Sequence, residues 1–555
     1  MKLTAPSLVV PVACAALLLS GCTPAGDDDG TVLRIGTNSG IDSMNPFVGI
    51  NQDGYSAWMQ IYPSLLQYDT TQLDMPYKPS LAETWEVSDD GLTVTYTIRE
   101  GATWSDGETL DAEDAAWSLG MMREFNETAA AVWGVSGNIT SITAEDPSTL
   151  VLTYDEPGAL AIDNIANTPI LPPQVWEEHA TGDGEGLKTF ANLPEGGEPL
   201  VSGGPFMLTE YRQGEVAVFA ANPNWYGEKP SIDGFGLQTF KVADAMISAL
   251  AAGNLDAAFG IAPTALGTLE AADITIDTGP ALALRDLIIN SNPDKPDNRE
   301  LLNLNVRKAL EHAVNRAEIV ETAWVGMAEP GDSILPPMSA SSGQQWYNSD
   351  LETIGYDLDE ANRLLDAEGF ELGPDGVRIA ADGTPMEYEL VFADDESGPG
   401  DRAFQIMKAD FEKIGIVINQ RKLDSSATWD AIYCGEDCEY RDFDLAMWDW
   451  FPTPDPNFLL SAMTCDSWGD WNDVGYCDKE YDAMYERQRL ILDPAERKAL
   501  IDEMQQKLYD ERPYIILTYD VRIDAWSNDW DGFVPAPQSF FNSRSTQSLE
   551  SVHRR

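Results

Sequence analysis

Acid–base, nucleophilic and metal chemistry most often shows in a sequence through histidine, and this chain of 555 residues has three: His179, His312 and His553. They lie far apart. His312 falls within the amphipathic pattern Val306 to Val320, which suits a structural histidine. His179 follows Trp176-Glu177-Glu178 on a solvated helix face, and His553 sits in the C-terminal tail. No His-Glu-x-x-His, Gly-x-Ser-x-Gly, Gly-x-Gly-x-x-Gly or P-loop pattern occurs. Carboxylates abound, but among 93 acidic residues a pair such as Glu177-Glu178 carries no information, so a two-carboxylate glycosidase or other surface hydrolase has no pattern behind it. The expectation is a protein that is not an enzyme, with no catalytic residue, no metal ligands and no cofactor.

Sulfur is better organised. Cys22 closes Leu19-Ser20-Gly21-Cys22 directly after the apolar run Leu8 to Leu19. That run is long enough for the core of a signal peptide and too short to cross a bilayer. The four residues match a lipobox, in which the cysteine sulfur is lipidated and begins the mature chain. Residues 1–21 are then a lipoprotein signal peptide, and the small, acidic stretch 22–30 is a flexible tether. A plain secreted protein with an accidental cysteine is the alternative. The expected place is the cell envelope, on the outer face of the cytoplasmic membrane or in the periplasm, with lipid on Cys22 as the membrane contact.

Cys14 leaves with the signal peptide, so four cysteines remain: Cys434, Cys438, Cys465 and Cys477. Their spacings fit a four-thiolate zinc site poorly and no histidine lies among them. In an oxidising exterior the even count reads as two disulfides. Three connectivities are open; Cys434–Cys438 and Cys465–Cys477 are favoured because each closes a short loop.

The elements that hold these residues follow from composition and period. The chain is too long for one ordinary core, and 16 Trp and 19 Tyr exclude a disordered one. A formal net charge of −59 excludes nucleic acid as a partner, since binding it takes clustered Lys and Arg. Such a charge suits either a saline habitat or a generally acidic secreted proteome. Alternation predicts a strand over Thr31 to Thr37 and a hairpin from Trp85 to Arg99 across Asp89-Asp90-Gly91. Helical spacing appears over Met59 to Tyr68, Asp111 to Met121, Val242 to Ala252, Leu304 to Trp324, Asp359 to Glu368, Ala403 to Ile414 and Glu496 to Tyr509. Further strands are expected at Leu284 to Asn290, Tyr388 to Phe392, Val417 to Leu423 and Tyr514 to Thr518. The Pro-rich break Asn292 to Pro296 reads as a crossing between lobes.

Pro79 to Thr93 (Pro-Ser-Leu-Ala-Glu-Thr-Trp-Glu-Val-Ser-Asp-Asp-Gly-Leu-Thr) and Thr95 to Ala115 closely resemble the signature of family 5 extracellular solute-binding proteins, the peptide-, oligosaccharide- and nickel-binding components of ABC importers. Asp42-Ser-Met-Asn-Pro, Gly203-Gly-Pro-Phe-Met-Leu, Asn222-Pro-Asn-Trp-Tyr-Gly, Val306-Arg-Lys-Ala-Leu and Tyr356-Asp-Leu-Asp-Glu-Ala continue the likeness in order. The resemblance implies an α/β, two-lobed periplasmic-binding-protein-like fold (type II, large cluster) with an extra subdomain in the first lobe. It places the first lobe at 31–290, the second at 291–512, and a return to the first lobe with a C-terminal tail at 513–555. It implies a monomer that captures a peptide or peptide-like solute and delivers it to an ABC permease and ATPase complex. An oligosaccharide is the alternative ligand; nickel is disfavoured because nitrogen ligands are scarce.

In peptide-binding relatives a segment resembling Trp-x-x-Asp-Tyr-x-Asp-Pro forms one wall of the site, and its first Asp holds the peptide's α-amino group. The matching segment here is Trp450-Phe451-Pro452-Thr453-Pro454-Asp455-Pro456. Thr453 stands where that Asp is expected, and a hydroxyl cannot neutralise a buried ammonium. Asp449 or Asp455 then takes the role, or the ligand lacks a free amine. Trp448, Trp450 and Phe451 would stack on the ligand or join the core. The facing wall corresponds to Val48 to Asp53, with Ile50, Asn51, Gln52 and Asp53 as candidates pairing backbone to backbone with the ligand. Trp133 is carried over from a loop that reaches the site in relatives.

Overall fold

Thr31 to Thr37 becomes β1 (Val32–Thr37), with Leu33 and Ile35 wholly buried and Arg34 turned out to Asp256. The structure, a computed structural model, describes residues 31–555 except 39, 50, 73–74, 126–137, 159–161, 167, 342, 394–398, 424, 433–440, 442, 451, 469–470 and 535–544. The lipobox with Cys22, the leader and the tether, Ile50, Trp133, Phe451, and the Cys434–Cys438 pair therefore lie outside the described residues.

The helix expected over Met59 to Tyr68 lies earlier, as α1 (Gln52–Ile61). The Asn51 side chain accepts the Gly54 N–H at its start, and Pro63 follows its end, so the helix cannot run on. The hairpin is β2 (Ala82–Val87) and β3 (Thr93–Ile98). Helix α2 (Ala112–Phe125) buries Ala115, Leu119 and Met122. With β4 (Ile139–Asp146) and β5 (Thr149–Tyr154), the hairpin makes a separate four-stranded sheet in the order β2-β3-β5-β4.

Ten more strands join β1 in one sheet. They are β6 (Phe206–Arg212), β7 (Val216–Ala221), β8 (Gly234–Thr239), β9 (Ala257–Ala258), β10 (Ile274–Ile289), β11 (Ala328–Pro330), β12 (Glu387–Ala393), β13 (Val417–Leu423), β14 (Leu445–Trp450) and β15 (Tyr514–Ser527). The order is β13-β12-β14-β10-β15-β9-β1-β8-β7-β6, and β11 pairs with β15. The second-lobe helices that matter below are α3 (Leu304–His312), α4 (Lys479–Arg489) and α5 (Pro494–Glu511). The long helix expected over Leu304 to Trp324 breaks after α3. Asn315 caps a new start by accepting from Glu318 N, and a π turn over Ile319–Ala323 leads to Trp324.

Strands β10 and β15 run antiparallel to each other through both lobes. At one end Ile523 and Ala525, with Ile274 and Ile276 against them, pack with Met246, Leu250 and Leu255. Further along, Leu287, Ile289, Ile515 and Leu517 pack with Val306, Phe404 and Leu445. On the opposite face, Leu284, Ile288, Tyr514 and Ile516 join Trp450, Leu460 and Met504. The pair therefore leaves one core and enters the next inside a single stretch of ladder. The register is irregular there, between Thr278 and Ala281 and between Ala281 and Ala283. Asn292 to Pro296, expected as the crossing, instead belongs to the second lobe, where Lys295 Nζ bonds Asp444 (2.7 Å) and the Phe443 carbonyl (3.0 Å). The C-terminal helix α6 (Thr546–Ser551) returns to the first lobe: Thr546 bonds the Met59 carbonyl and Gln547 accepts from Lys78. Cys465 and Cys477 form a disulfide, as expected.

Candidate functional site

Where β10 and β15 pass between cores, the sheet carries charge. Arg285 of β10 lies opposite Asp449 of β14 in the ladder, with Nη1 3.8 Å from its carboxylate. It also reaches Asp520 of β15 at 3.3 Å, and its guanidinium stands 5.5 Å from the Trp324 ring. Thr518 holds the far oxygen of Asp520 at 2.8 Å. Across the irregular stretch, Arg522 pairs with Asp277 at 2.6 Å and with the wholly buried Asp524. Met327, next to β11, packs on the first-lobe core and accepts the Val521 N–H at 3.2 Å, giving a third strap across the same place. Two guanidiniums thus face four carboxylates at the junction, in a chain of net charge −59. Such a field favours a cationic group on a ligand and repels an anion.

Asp449 keeps about a quarter of its side chain exposed (24%). Asp455 is spoken for: Arg497 Nη1 and Nη2 donate to its two oxygens at 2.6 and 2.8 Å, and Asn457 N donates at 2.8 Å. Thr453 Oγ1 donates to the Asp455 carbonyl at 2.7 Å, so both residues shape the loop. Trp450 is a core residue, packed edge-on to Phe458 and Trp471, while Trp448 is half-buried against the same cluster.

The facing wall differs from expectation. Asp53 is wholly buried and accepts from Thr37 Oγ1 (2.7 Å) and Gly40 N (2.8 Å), which ties β1 to α1 rather than offering an anion to a ligand. Gln52 and Asp53 are helical, Asn51 is the cap, and the Val48 and Gly49 N–H groups turn back to the Asn45 carbonyl. Backbone turned inward in this way cannot add a ligand as a strand along residues 51–53. Trp104 is wholly buried and donates to Asp114, whose carboxyl burial pushes up to about 6.

Sequence reasoning missed Arg285, Asp520 and Trp324. It also missed Asp286, which alternates to the opposite face of β10. Burial, with Asp473 and Asp449 nearby, holds its carboxyl well above the usual carboxylate range. Asp473, which accepts from the Tyr514 hydroxyl, is pushed by burial up to about 6 despite the nearby Arg441. The signal was present: Arg285-Asp286 are two charges inside the otherwise apolar run Ala281 to Ile289.

The family description "Bacterial extracellular solute-binding proteins, family 5 Middle" matches residues 76–471. Protein XP55 of Streptomyces lividans is 28% identical over 556 residues, covering 98% of this chain and 94% of that protein. Among solved structures, NikZ of Campylobacter jejuni in complex with Ni(L-His) superposes with a TM-score of 0.79 at 23% identity, covering 94% of this chain and 99% of that one. The oligopeptide-binding protein AppA of Bacillus subtilis, in complex with a nonapeptide, superposes with a TM-score of 0.78 at 20% identity, covering 95% and 99%.

Proposed function

The chain belongs to the bacterial extracellular solute-binding proteins of family 5, and from that premise we propose that it captures a peptide or peptide-like solute bearing a free ammonium group and delivers it to an ABC permease and ATPase complex. The observation that carries the ligand class is the acid-rich junction around Arg285. Asp449, beside Arg285, is the partly exposed carboxylate of the candidate wall, whereas Asp455 is committed to Arg497 and Thr453 to the loop. An ammonium beside Asp449 would gain a charge-assisted bond, and Asp520 and Asp277 would add to the field. Arg285 fixes the Asp449 side of the junction and Trp324 backs Arg285 from the second lobe. AppA, solved with a nonapeptide, supports a peptide in this fold; NikZ, solved with Ni(L-His), shows that the same fold also takes an amino-acid complex of nickel.

The protein acts as a monomer held by lipid on Cys22, with residues 1–21 removed and residues 22–30 as tether. The two lobes close about the register breaks of β10 and β15; Tyr514 to Tyr519 pack in the second-lobe cores, and the chain from Ile523 on completes the first lobe. Calorimetry with trialanine and N-acetyl-trialanine tests the reading. Trialanine binds and the acetylated peptide does not, and Asp449→Asn weakens trialanine by about 2–5 kcal/mol, the scale for a broken buried charge pair. Equal binding of both peptides, or binding of xylo- or cello-oligosaccharides alone, overturns it.

A further inference from the structure

Away from the junction, the two lobes also touch at the turn of the β2–β3 hairpin. A Cβ built on Gly91 would lie 2.9 Å from Leu492 Cδ1 and 3.1 Å from Pro157 Cβ, so the bare Gly91 backbone sits against both. Leu492 comes from the second lobe, in the connection between α4 and α5. Gly91 and Pro157 belong to the small first-lobe sheet, Pro157 just past the end of β5.

Both sides of this contact are stiff. In the turn, Gly91 takes φ 69° and donates to the Ser88 carbonyl (2.8 Å). Ser88 Oγ donates to Asp90 (2.7 Å) and accepts from Thr93 N (2.9 Å). A side chain at position 91 would be strained by the backbone and would meet Leu492. On the second lobe, Arg497 of α5 clamps Asp455 and donates to Gln488 of α4 (2.9 Å), and Gln488 donates to Asn457 (2.9 Å). The connection that carries Leu492 is therefore braced to the same loop, Thr453 to Asn457, that forms the candidate wall. Leu492 itself is a large aliphatic side chain, 48% exposed, on a turn of a strongly acidic protein.

We propose that Leu492, seated against Gly91 and Pro157, is a clasp between the lobes that favours the closed state and so raises affinity for every ligand of the site alike. The inference rests on the reading of two lobes that close on a solute, and it concerns closure rather than ligand chemistry. Apparent affinity scales with the fraction of molecules that can hold the closed form, so a contact outside the ligand wall tunes binding without touching the ligand.

The test uses the mature protein, freed of ligand, with spin labels on cysteines replacing Val242 in the first lobe and Leu372 in the second, each 60% exposed. Electron–electron double resonance then reads the lobe-to-lobe distances with no ligand present, so a wrong ligand class leaves the measurement intact. A short-distance population is expected, and Leu492→Asp lowers its ratio to the long-distance population by about fivefold, the scale for losing roughly half a leucine's burial. Gly91→Ala shifts the ratio in the same direction, and the Gly91→Ala/Leu492→Ala pair shifts it by less than the sum of its parts. Absence of a short-distance population in the parent protein, no change in Leu492→Asp, or additive effects overturn the clasp. Trialanine binding is measured separately. A parent protein that shows the clasp yet ignores trialanine rejects the peptide reading alone.

Discussion

Asp455→Asn separates a residue that builds the site from one that touches the ligand. Asp455 and Arg497 are both almost wholly buried, with side chains 8% and 4% exposed, and are joined by two charge-assisted bonds of 2.6 and 2.8 Å. Replacing the carboxylate by an amide keeps one acceptor and loses the charge. Arg497 retains Gln488 and the face of Trp346, 4.8 Å away, neither of which neutralises it. Breaking a buried pair on one side costs about 3–5 kcal/mol, and the retained bond to the amide places the expected loss near the lower end, at ~3 kcal/mol. Urea unfolding followed by tryptophan fluorescence reads this directly, because Trp450, Trp471 and Trp346 all lie in the second lobe near the pair. The second-lobe transition moves to lower urea. The double substitution Asp455→Leu/Arg497→Met recovers most of the loss, since no buried charge then remains. Undiminished stability together with abolished trialanine binding would refute the assignment and return Asp455 to the role of ammonium partner.

Two further outcomes are expected. Glu550 on α6 accepts from Trp225 Nε1 at 2.8 Å, and burial pushes its carboxyl from an ordinary value of 4.5 up to about 7. The folded form therefore binds a proton more readily than the unfolded chain. The stability Glu550 contributes is fully present below pH 4.5 and is lost as pH rises through 7, a change of about 3 kcal/mol. Glu550→Gln removes that part of the profile, so parent and variant curves measured by urea unfolding at pH 5 and pH 8 converge on the acid side; parallel curves reject the assignment. Replacing Cys22 with Ser releases the protein from the membrane fraction with trialanine affinity unchanged, and a variant that stays membrane-bound rejects the lipobox.

Local order was legible because local chemistry decides it. The β2–β3 hairpin follows from its alternation and the turn Asp89-Asp90-Gly91, where Gly91 supplies the positive φ the turn uses. Helix α5 follows from its Asp493 cap and Pro494 at the first turn. What escaped depends on residues far apart in the chain. Arg285 meets Asp520 across 235 positions, and Asp455 meets Arg497 across 42. No spacing rule reaches that far, so the sequence offers Asp455 as a candidate ammonium partner and does not single out Arg285. The crossing was misplaced for a related reason. Prolines at 293 and 296 are a stronger break signal than Gly279-Pro280, yet β10 absorbs Gly279-Pro280 as an irregularity because β15 pairs with it on both sides. The short motif singled out the candidate segment Trp448 to Asp455, but not which of its side chains face inward: Trp450 packs in the core and Asp455 pairs with Arg497.

Strand β15 has a consequence for how the chain reaches its folded state. In the central sheet it pairs with β9, β10 and β11, and Ala257, which meets Ile35 of β1 on one side, finds its partner on the other side in Trp526. A chain emerging from its N-terminus exposes β1, β9 and the first half of β10 long before that partner arrives. Until then β9 is an open edge, a template for wrong pairing with another copy of the chain. Helices α3, α4 and α5 have all been made by that time, whereas the β9 side of the sheet stays unfinished until the last tenth of the polypeptide arrives. Completing the sheet therefore waits on a long-range strand insertion near the C-terminus, the kind of non-local pairing that slows folding. Chains truncated before Tyr514 are expected to accumulate as aggregates that grow from the β9 edge.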